Sequence, residues 1–130
     1  MNCFCLQEKR KSLEKELLKL LLPEGMLDYF ELTSVELKDG EYFLYLEEKN
    51  IHPAEYKEDK LISRGFFDQI TIQDFPLRGK PCYLKIRRRK WFNETTDRNV
   101  SRDWKVVAGG TRMTKEFATF LKSSFWMQNL

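Results

Sequence analysis

Histidine and cysteine are scarce in this chain, and their scarcity limits the chemistry that it can perform. Among 130 residues there are one histidine, His52, and three cysteines. A catalytic pair needs a histidine held against its nucleophile, whereas His52 precedes Pro53 in a polar stretch typical of a solvated loop. A tetrahedral zinc site needs four ligands, whereas Cys3 and Cys5 form one pair and Cys82 stands alone. The sequence therefore predicts no catalytic centre, no metal and no cofactor, and three cysteines fit a reducing compartment better than a disulfide framework.

Long uncharged apolar runs are absent as well. The longest run, residues 17–22, is interrupted by Lys19 and ends at Pro23, well short of the roughly 20 residues that a membrane-spanning helix needs. The basic residues near the N terminus are followed by Glu14 and Glu16 rather than by an uncharged core, so a signal peptide is not expected. With 33% charged residues and a mean hydropathy of -0.58, the sequence predicts a cytoplasmic protein that makes no membrane contact.

Residues 1–48 are predicted to form a helix and a β-hairpin. Four leucines recur at helical spacing, namely Leu13, Leu17, Leu20 and Leu21. They predict an amphipathic helix over residues 7–22, ended by a proline and a glycine. The strand-like stretches 31–38 and 42–48 flank Asp39-Gly40, which supplies the positive φ angles of a type I′ turn. Residues 49–65 show little periodicity and are predicted to form a long loop.

Residues 66–107 are predicted to form a basic β region, and a helix is predicted over residues 111–126. A strand over residues 66–74 turns into a long strand over 82–92, and a polar turn leads to a return strand over 100–107. The segment 109–111 is suited to cap the final helix, whose apolar stripe comprises Met113, Phe117, Phe120 and Leu121. The predicted fold is a single α+β domain over residues 1–130, with an N-terminal helix, two antiparallel hairpins or small sheets, and a C-terminal helix.

Charge is segregated along the chain. Residues 1–75 hold 10 Lys and Arg against 16 Asp and Glu, a net charge of -6, whereas residues 76–130 hold 13 against 4, a net charge of +9. An asymmetry of this size indicates a polyanionic partner for the basic half.

The basic residues are densest between Lys85 and Lys90. Side chains alternate along a strand, so five residues are expected on the face opposite the apolar positions: Tyr83, Lys85, Arg87, Arg89 and Trp91. Guanidinium groups about 7 Å apart can each reach a phosphate, and arginine also suits guanine edges.

The candidate nucleic-acid-binding residues are Lys85, Arg87, Arg88, Arg89, Lys90, Trp91, Arg98, Arg102, Lys105, Arg112 and Lys115. The last two are expected beside the amide groups of a helix N terminus. The same residues also fit a merely solvated sheet face, and charge alone does not distinguish DNA from RNA.

Four segments of the chain resemble the N-terminal region of bacterial insertion-sequence transposases of the DDE type. Their sequences are LLKLLLPEG at 17–25, ITIQDFPLRGK at 70–80, LKIRRRKW at 84–91 and TRMTKEF at 111–117. The resemblance extends over most of the chain, from about residue 13 to residue 121. In the related transposases this region is commonly a zinc ribbon with an Asp-x-Pro-x-x-Gly-Lys segment and a strand of arginines that leads to metal-binding cysteines.

The chain departs from that pattern at the positions of the metal ligands. Residues 50–56 and 92–96 contain no cysteine where the zinc-bearing relatives place their pairs. The resemblance therefore implies a metal-free ribbon held by packing of Trp91, Phe92 and Trp104. It also implies that the catalytic DDE domain is encoded elsewhere, because 130 residues leave no room for it.

Three functional hypotheses follow from these patterns. The first is a non-catalytic DNA-binding accessory domain of a transposase, which recognises the terminal inverted repeats of its element and works with a catalytic subunit encoded downstream. The second is a protein-interaction module that docks on a catalytic or regulatory subunit, because Phe125 and Trp126 are large aromatics near the chain end. The third, a small hydrolase, requires Asp68, Asp74 or His52 to converge on one pocket.

Overall fold

The computed structural model describes the backbone of residues 3–103 and 112–128 and the side chains of residues 9–103 and 112–123. The helices are α1 (Cys3–Leu21), α2 (Met26–Tyr29) and α3 (Lys115–Gln128), with a short 3-10 helix at Ala54–Tyr56. The strands are β1 (Phe30–Lys38), β2 (Glu41–Glu48), β3 (Leu61–Phe66), β4 (Ile70–Leu77), β5 (Lys80–Arg87), β6 (Arg89–Asn93) and β7 (Arg98–Val100). The predicted α+β class is confirmed. No helix in the described part of the chain is long and apolar enough to cross a membrane.

The larger sheet has four strands in the order β1-β2-β5-β4. Two antiparallel hairpins, β1–β2 and β4–β5, join through parallel pairing of β2 with β5. Both hairpins turn through two residues at positive φ, Asp39-Gly40 with φ of 53° and 76° and Arg78-Gly79 with φ of 54° and 76°. These are the angles of a type I′ turn, whose twist matches that of the strands. The first hairpin is as predicted. In the second, β4 overlaps the strand predicted over residues 66–74, and β5 overlaps the first part of the strand predicted over residues 82–92.

The core lies on one face of this sheet. β2 and β5 contribute alternate buried residues, including Leu46, Leu84 and Ile86, which are at most 1% exposed. α2 and the start of β1 cover them with Met26 and Phe30, both fully buried. Since burying one such side chain contributes about 1.5–3 kcal/mol, this layer is the main source of stability in the domain.

The smaller sheet has three strands in the order β3-β6-β7, all antiparallel. β3 begins at Leu61, within residues 49–65, so the prediction of a continuous loop over those residues is wrong. The strand escapes sequence patterns because it has only six residues, LISRGF, and contains Gly65 at a φ of 76° within a register shift between Ser63 and Phe66. Its pairing with β6, about 30 residues later in the chain, is not visible in local sequence.

The prediction of one long strand over residues 82–92 is also wrong, because this segment forms two strands that are separated by Arg88. β5 belongs to the four-stranded sheet and β6 to the three-stranded sheet. The buried positions are even-numbered in β5, up to Ile86, and odd-numbered in β6, at Trp91 and Asn93. The one residue between the strands, Arg88, thus reverses which side chains face inward.

The C-terminal helix begins at Lys115 and is capped by Thr114. The backbone N–H of Phe117 donates to Thr114 Oγ1 at 3.3 Å, and that hydroxyl donates to Asp74 Oδ1 of β4 at 2.8 Å. Phe117 also packs edge-on against Phe75, with ring centroids 5.3 Å apart. The predicted start at residue 111 is wrong, because residues 112–114 are not helical, and Met113, which was expected in the apolar stripe of the helix, forms an isolated β-bridge with Gln73. The predicted cap at residues 109–111 lies outside the described residues.

The return strand predicted over residues 100–107 differs from the observed one. β7 covers Arg98–Val100, and residues 101–103 are not in a strand. Residues 104–107, including Trp104 with its predicted packing role, lie outside the described residues, as do the side chains of Phe125 and Trp126.

Candidate nucleic-acid interface

The strand alternation of β2 and β5 places aromatic and basic side chains on the face of the four-stranded sheet opposite the core. We call this surface the outer face. Its aromatic and basic members are Phe43, Tyr45, Tyr83, Lys85 and Arg87, and the same alternation places Glu41 and Glu47 on it. The parallel register sets Phe43 beside Tyr83 and Tyr45 beside Lys85. The predicted placement of Tyr83, Lys85 and Arg87 on one face, away from the buried residues of β5, is confirmed.

Lys85 lies among neutral partners on the outer face. Its ammonium group donates to Thr71 Oγ1 at 2.9 Å and lies 5.4 Å from the centroid of the Phe43 ring. Phe43 in turn stacks on Tyr83, with centroids 5.6 Å apart and ring planes 20° apart. No carboxylate pairs with Lys85 among the described residues, so its charge is available to an anion.

Arg87 ends the outer face and is its most exposed cation. Its side chain is 45% exposed, and Nη1 donates to Glu47 Oε1 at 2.9 Å. The guanidinium group also lies 4.5 Å from the centroid of Phe66, a residue of β3. An exposed ion pair of this kind contributes about 0–1 kcal/mol to stability. Arg87 can therefore exchange Glu47 for a phosphate group with little loss of free energy.

A second basic region surrounds the carboxylate of Glu48, which is 1% exposed. We call it the Glu48 cluster, and it comprises Glu48, Arg89, Trp91 and Arg102. Trp91 Nε1 donates to Glu48 Oε2 at 3.2 Å, and Arg102 Nε lies 3.7 Å from the same oxygen. The backbone N–H of Arg89 donates to Glu48 Oε1 at 3.4 Å. The cluster joins the two sheets, because Glu48 ends β2 and its partners Arg89 and Trp91 belong to β6.

The remaining guanidinium contacts of this region are also internal. Arg102 donates to the carbonyl oxygen of Ile51 and lies 4.4 Å from the centroid of Tyr29. Arg88 donates to the carbonyl oxygen of Arg102. Arg89 donates to Ser63 Oγ at 2.7 Å and to Glu48 O at 3.2 Å.

These contacts correct part of the predicted binding set. Trp91 and Arg102 are each 3% exposed, so neither presents a side chain to a nucleic acid on the surface. Trp91 was expected beside Arg87, and it faces inward because Arg88 reverses the alternation. Arg88 and Arg89 are half-buried and hydrogen-bonded within the domain, which assigns them mainly to structure.

Four other predicted cations remain at the surface. Lys90 is half-buried, with its ammonium group 5.1 Å from the centroid of Phe67. Arg98, Arg112 and Lys115 are exposed. Lys115 is the first residue of α3, so it lies at a helix N terminus as predicted. Lys105 lies outside the described residues.

The residues named for hydrolytic chemistry have separate surroundings. Asp74 is 5% exposed, accepts a hydrogen bond from Thr114, and lines a cleft of about 260 Å³ between the end of α1, β4 and α3. Neither Asp68 nor His52 lines that cleft, and the His52 ring nitrogens lie within 3.1 Å of backbone carbonyl oxygens. No group of three or more His, Cys, Asp or Glu side chains able to hold a metal occurs in the described part of the chain.

Burial shifts the pKa of two side chains that face each other across β4 and β5. The pKa of Asp74 is raised by burial, and the hydrogen bond from Thr114 opposes that shift. Burial, together with the charge of Asp74, raises the pKa of Cys82 to about 11. Cys82 is 2% exposed and unpaired, so it behaves as a neutral core residue.

Sequence reasoning missed the aromatic part of the outer face and the residues of β3 that extend it. Phe43 and Tyr45 alternate along β2 within a hairpin that was predicted, so their common face was readable from the sequence. Phe66 beside Arg87, and Arg64 over the ring of Phe92 at 4.0 Å, depend on β3 and had no local signal.

No protein-family model, curated protein or solved structure matches the chain.

Proposed function

We propose that the protein is a DNA-binding accessory domain of a bacterial insertion-sequence transposase. In this proposal it acts in the cytoplasm, recognises the terminal inverted repeats of its element, and leaves strand cleavage and joining to a catalytic DDE subunit encoded elsewhere. The observation that supports it most is the outer face, where Lys85 and Arg87 stand in line beside the aromatic rings of Phe43, Tyr45 and Tyr83. The family resemblance of the sequence supports the same assignment.

The spacing on β5 suits a phosphate backbone. Alternate residues on a strand are about 6.5–7 Å apart, so Lys85 and Arg87 can each contact one phosphate of the same DNA strand. Such contacts position a protein on DNA without reading its sequence. Tyr83 flanks the cations and carries a hydroxyl group able to donate to phosphate or sugar oxygens, whereas the Tyr45 hydroxyl donates to Glu36 Oε2 at 3.2 Å.

The Glu48 cluster has a supporting role in this proposal. It fixes β6 against the end of β2 and thereby sets the position of Lys90 relative to the outer face. The contact set is then narrower than the basic sequence suggests, and it consists of Lys85 and Arg87, with peripheral charge from Lys90, Arg98, Arg112 and Lys115.

A fluorescence-anisotropy titration tests the proposal. The probes are a fluorescein-labelled duplex that carries the terminal inverted repeat beside the gene and a scrambled duplex of equal length. The double variant Lys85→Ala plus Arg87→Ala is expected to bind about tenfold or more weakly, because two charge-assisted contacts are lost. Its slope of log Kd against log salt should fall by about 2.

The matched control is Lys15→Ala plus Lys57→Ala, which removes the same charge from two exposed positions. Lys15 lies on α1, which packs on the core side of the sheet, and Lys57 follows the 3-10 helix. This control should keep the slope within about 0.5 of the wild-type value. Equal losses in the two double variants would contradict the outer face as the contact surface. Absence of DNA affinity, together with capture of a catalytic subunit that survives Lys85→Ala plus Arg87→Ala, would favour the docking module instead.

A further inference from the structure

α1 carries apolar residues on two faces, and in the described part of the chain one face packs on the core while the other is largely exposed. Leu18 packs against the core, and Leu22, just past the end of the helix, belongs to it. Leu13, Leu17 and Leu20 are 70%, 58% and 82% exposed. At about 100° per residue, these three leucines lie about 100–180° around the helix axis from Leu18 and Leu22. Turning α1 so that these leucines face the sheet would withdraw Leu18 and Leu22 from the core.

The exposed leucines follow the spacing of a coiled-coil seam. The steps are four residues from Leu13 to Leu17 and three residues from Leu17 to Leu20. This pattern assigns Leu17 to an a position and the other two leucines to d positions of a heptad. In sequence, the register continues toward the start of α1 through Arg10 at a and Leu6 at d. Single exposed leucines are common on protein surfaces, but three leucines aligned on one helix face are typical of an interaction site.

We propose that α1 forms a parallel two-stranded coiled coil with α1 of a second copy of this chain. The charges that flank the seam support this partner. In a parallel pair, each g residue lies beside the e residue five positions later in the other helix. The register places Lys9 at g and Glu14 at e, so the two helices form this attractive pair twice, once on each side of the seam.

An antiparallel arrangement brings like charges together. If Leu13 faces Leu17 of an antiparallel copy, g positions lie beside g positions and e positions beside e positions. Glu16 then lies near Glu16 of the other copy, and Glu14 near Glu14. The same charge pattern therefore favours the parallel orientation and a twofold-symmetric dimer.

The dimer goes beyond DNA binding and depends on α1 alone, so it stands or falls independently of the outer face. If both proposals hold, the dimer carries two outer faces related by a twofold axis, an arrangement suited to paired half-sites.

Measurement of molar mass by sedimentation equilibrium tests the association. The full chain is expected to move from a monomer of 15.7 kDa toward twice that mass as its concentration rises from about 1 to 200 µM, since a seam of fewer than three heptads is only marginally stable. Leu13→Glu plus Leu20→Glu should remain monomeric, and Lys15→Glu, at an exposed position on the opposite side of α1, should dimerise as the wild type does. A wild-type monomer at the highest concentration, or a dimer that survives the double leucine variant, would overturn the proposal.

Cysteine cross-linking tests the orientation. In a background with Cys3→Ser and Cys5→Ser, Leu17→Cys should form an interchain disulfide under mild oxidation, because a residues meet a residues in a parallel pair. The control Lys15→Cys should not cross-link. Cross-links that form only when Leu13→Cys and Leu17→Cys chains are mixed would instead indicate antiparallel pairing and overturn the orientation.

Charge exchange supplies an independent check on the partner. Lys9→Glu and Glu14→Lys are each expected to weaken self-association about tenfold, because two attractive pairs become repulsive. An equimolar mixture of the two variants should associate better than either alone, since every flanking pair is again of opposite sign. Equal association of the mixture and the single variants would contradict the assigned register.

Discussion

The outer face and the Glu48 cluster are adjacent regions that share the basic run 85–91, yet their cations differ in exposure and in the kind of carboxylate that they pair with. On the outer face, Arg87 is 45% exposed and pairs with an exposed carboxylate, Glu47. In the cluster, Arg102 has a side chain that is 4% exposed and pairs with Glu48, whose side chain is fully buried. Exposed pairs are exchangeable and nearly neutral for stability, whereas a buried charge must keep its partner. Position relative to the sheet, rather than residue type, thus decides whether a cation is available for binding.

Glu47 and Glu48, which are neighbours in β2, are expected to show the largest difference in their contribution to the free energy of unfolding. Glu48→Gln keeps the shape of the side chain but leaves Arg102 buried without its anion, so we expect a loss of about 3–5 kcal/mol in the free energy of unfolding. Glu47→Gln, one residue away, should cost less than about 1 kcal/mol. Urea titrations followed by tryptophan fluorescence measure both values. Similar losses in the two variants would contradict the distinction between the regions.

Arg87 and Arg89 give the next largest contrast. We expect one substitution to affect mainly DNA binding and the other mainly stability. Arg89→Ala should lower the free energy of unfolding by about 1–3 kcal/mol, because it removes the hydrogen bonds to Ser63 and Glu48. Its effect on the salt slope of DNA binding should be small. Arg87→Ala should leave stability within about 1 kcal/mol and reduce that slope by about 1. The reverse pattern would show that Arg89 is the contact residue and Arg87 the structural one.

The thiol of Cys82, on the core side of β5, is expected to make the stability of the protein depend on pH. Its pKa is raised to about 11 by burial and by the charge of Asp74. A folded-state pKa above the ordinary value of 9.0 means that the folded protein retains the proton longer, so stability falls as pH rises from about 9 toward 11, by up to roughly 1.4 kcal/mol per pH unit. Cys82→Ala should lose this slope, although it is less stable overall. Parallel stability curves for the two proteins over pH 8–11 would show that the thiol does not contribute.

The contrast between the two regions was only partly predictable from sequence. The alternation of Tyr83, Lys85 and Arg87 was readable because period-two geometry holds within one strand. The inward turn of Trp91 was not readable, because it depends on Arg88 joining strands of two different sheets. β3 was missed for a related reason, since a short strand with a glycine gains its stability from a partner that is remote in sequence. Glu48 carried no signal either, because nothing in a local pattern separates it from exposed Glu47.

Phe66 lies at the boundary between the outer face and the Glu48 cluster, and its substitution is expected to have the smallest effect. Its ring lies 4.5 Å from the guanidinium of Arg87 and 4.8 Å from that of Arg89, so it touches both the exposed and the buried cation. Phe66→Leu retains an apolar side chain and removes the aromatic face, and the expected cost in unfolding free energy is about 0.5–1 kcal/mol for each cation–π contact. Phe67→Leu, which affects only Lys90, is the matched control and should cost about half as much.

If the ring also orients Arg87 toward DNA, Phe66→Leu should weaken binding about twofold to fivefold while Phe67→Leu leaves it unchanged. A binding loss without a stability loss would place Phe66 wholly in the interface, and a stability loss alone would place it with the Glu48 cluster.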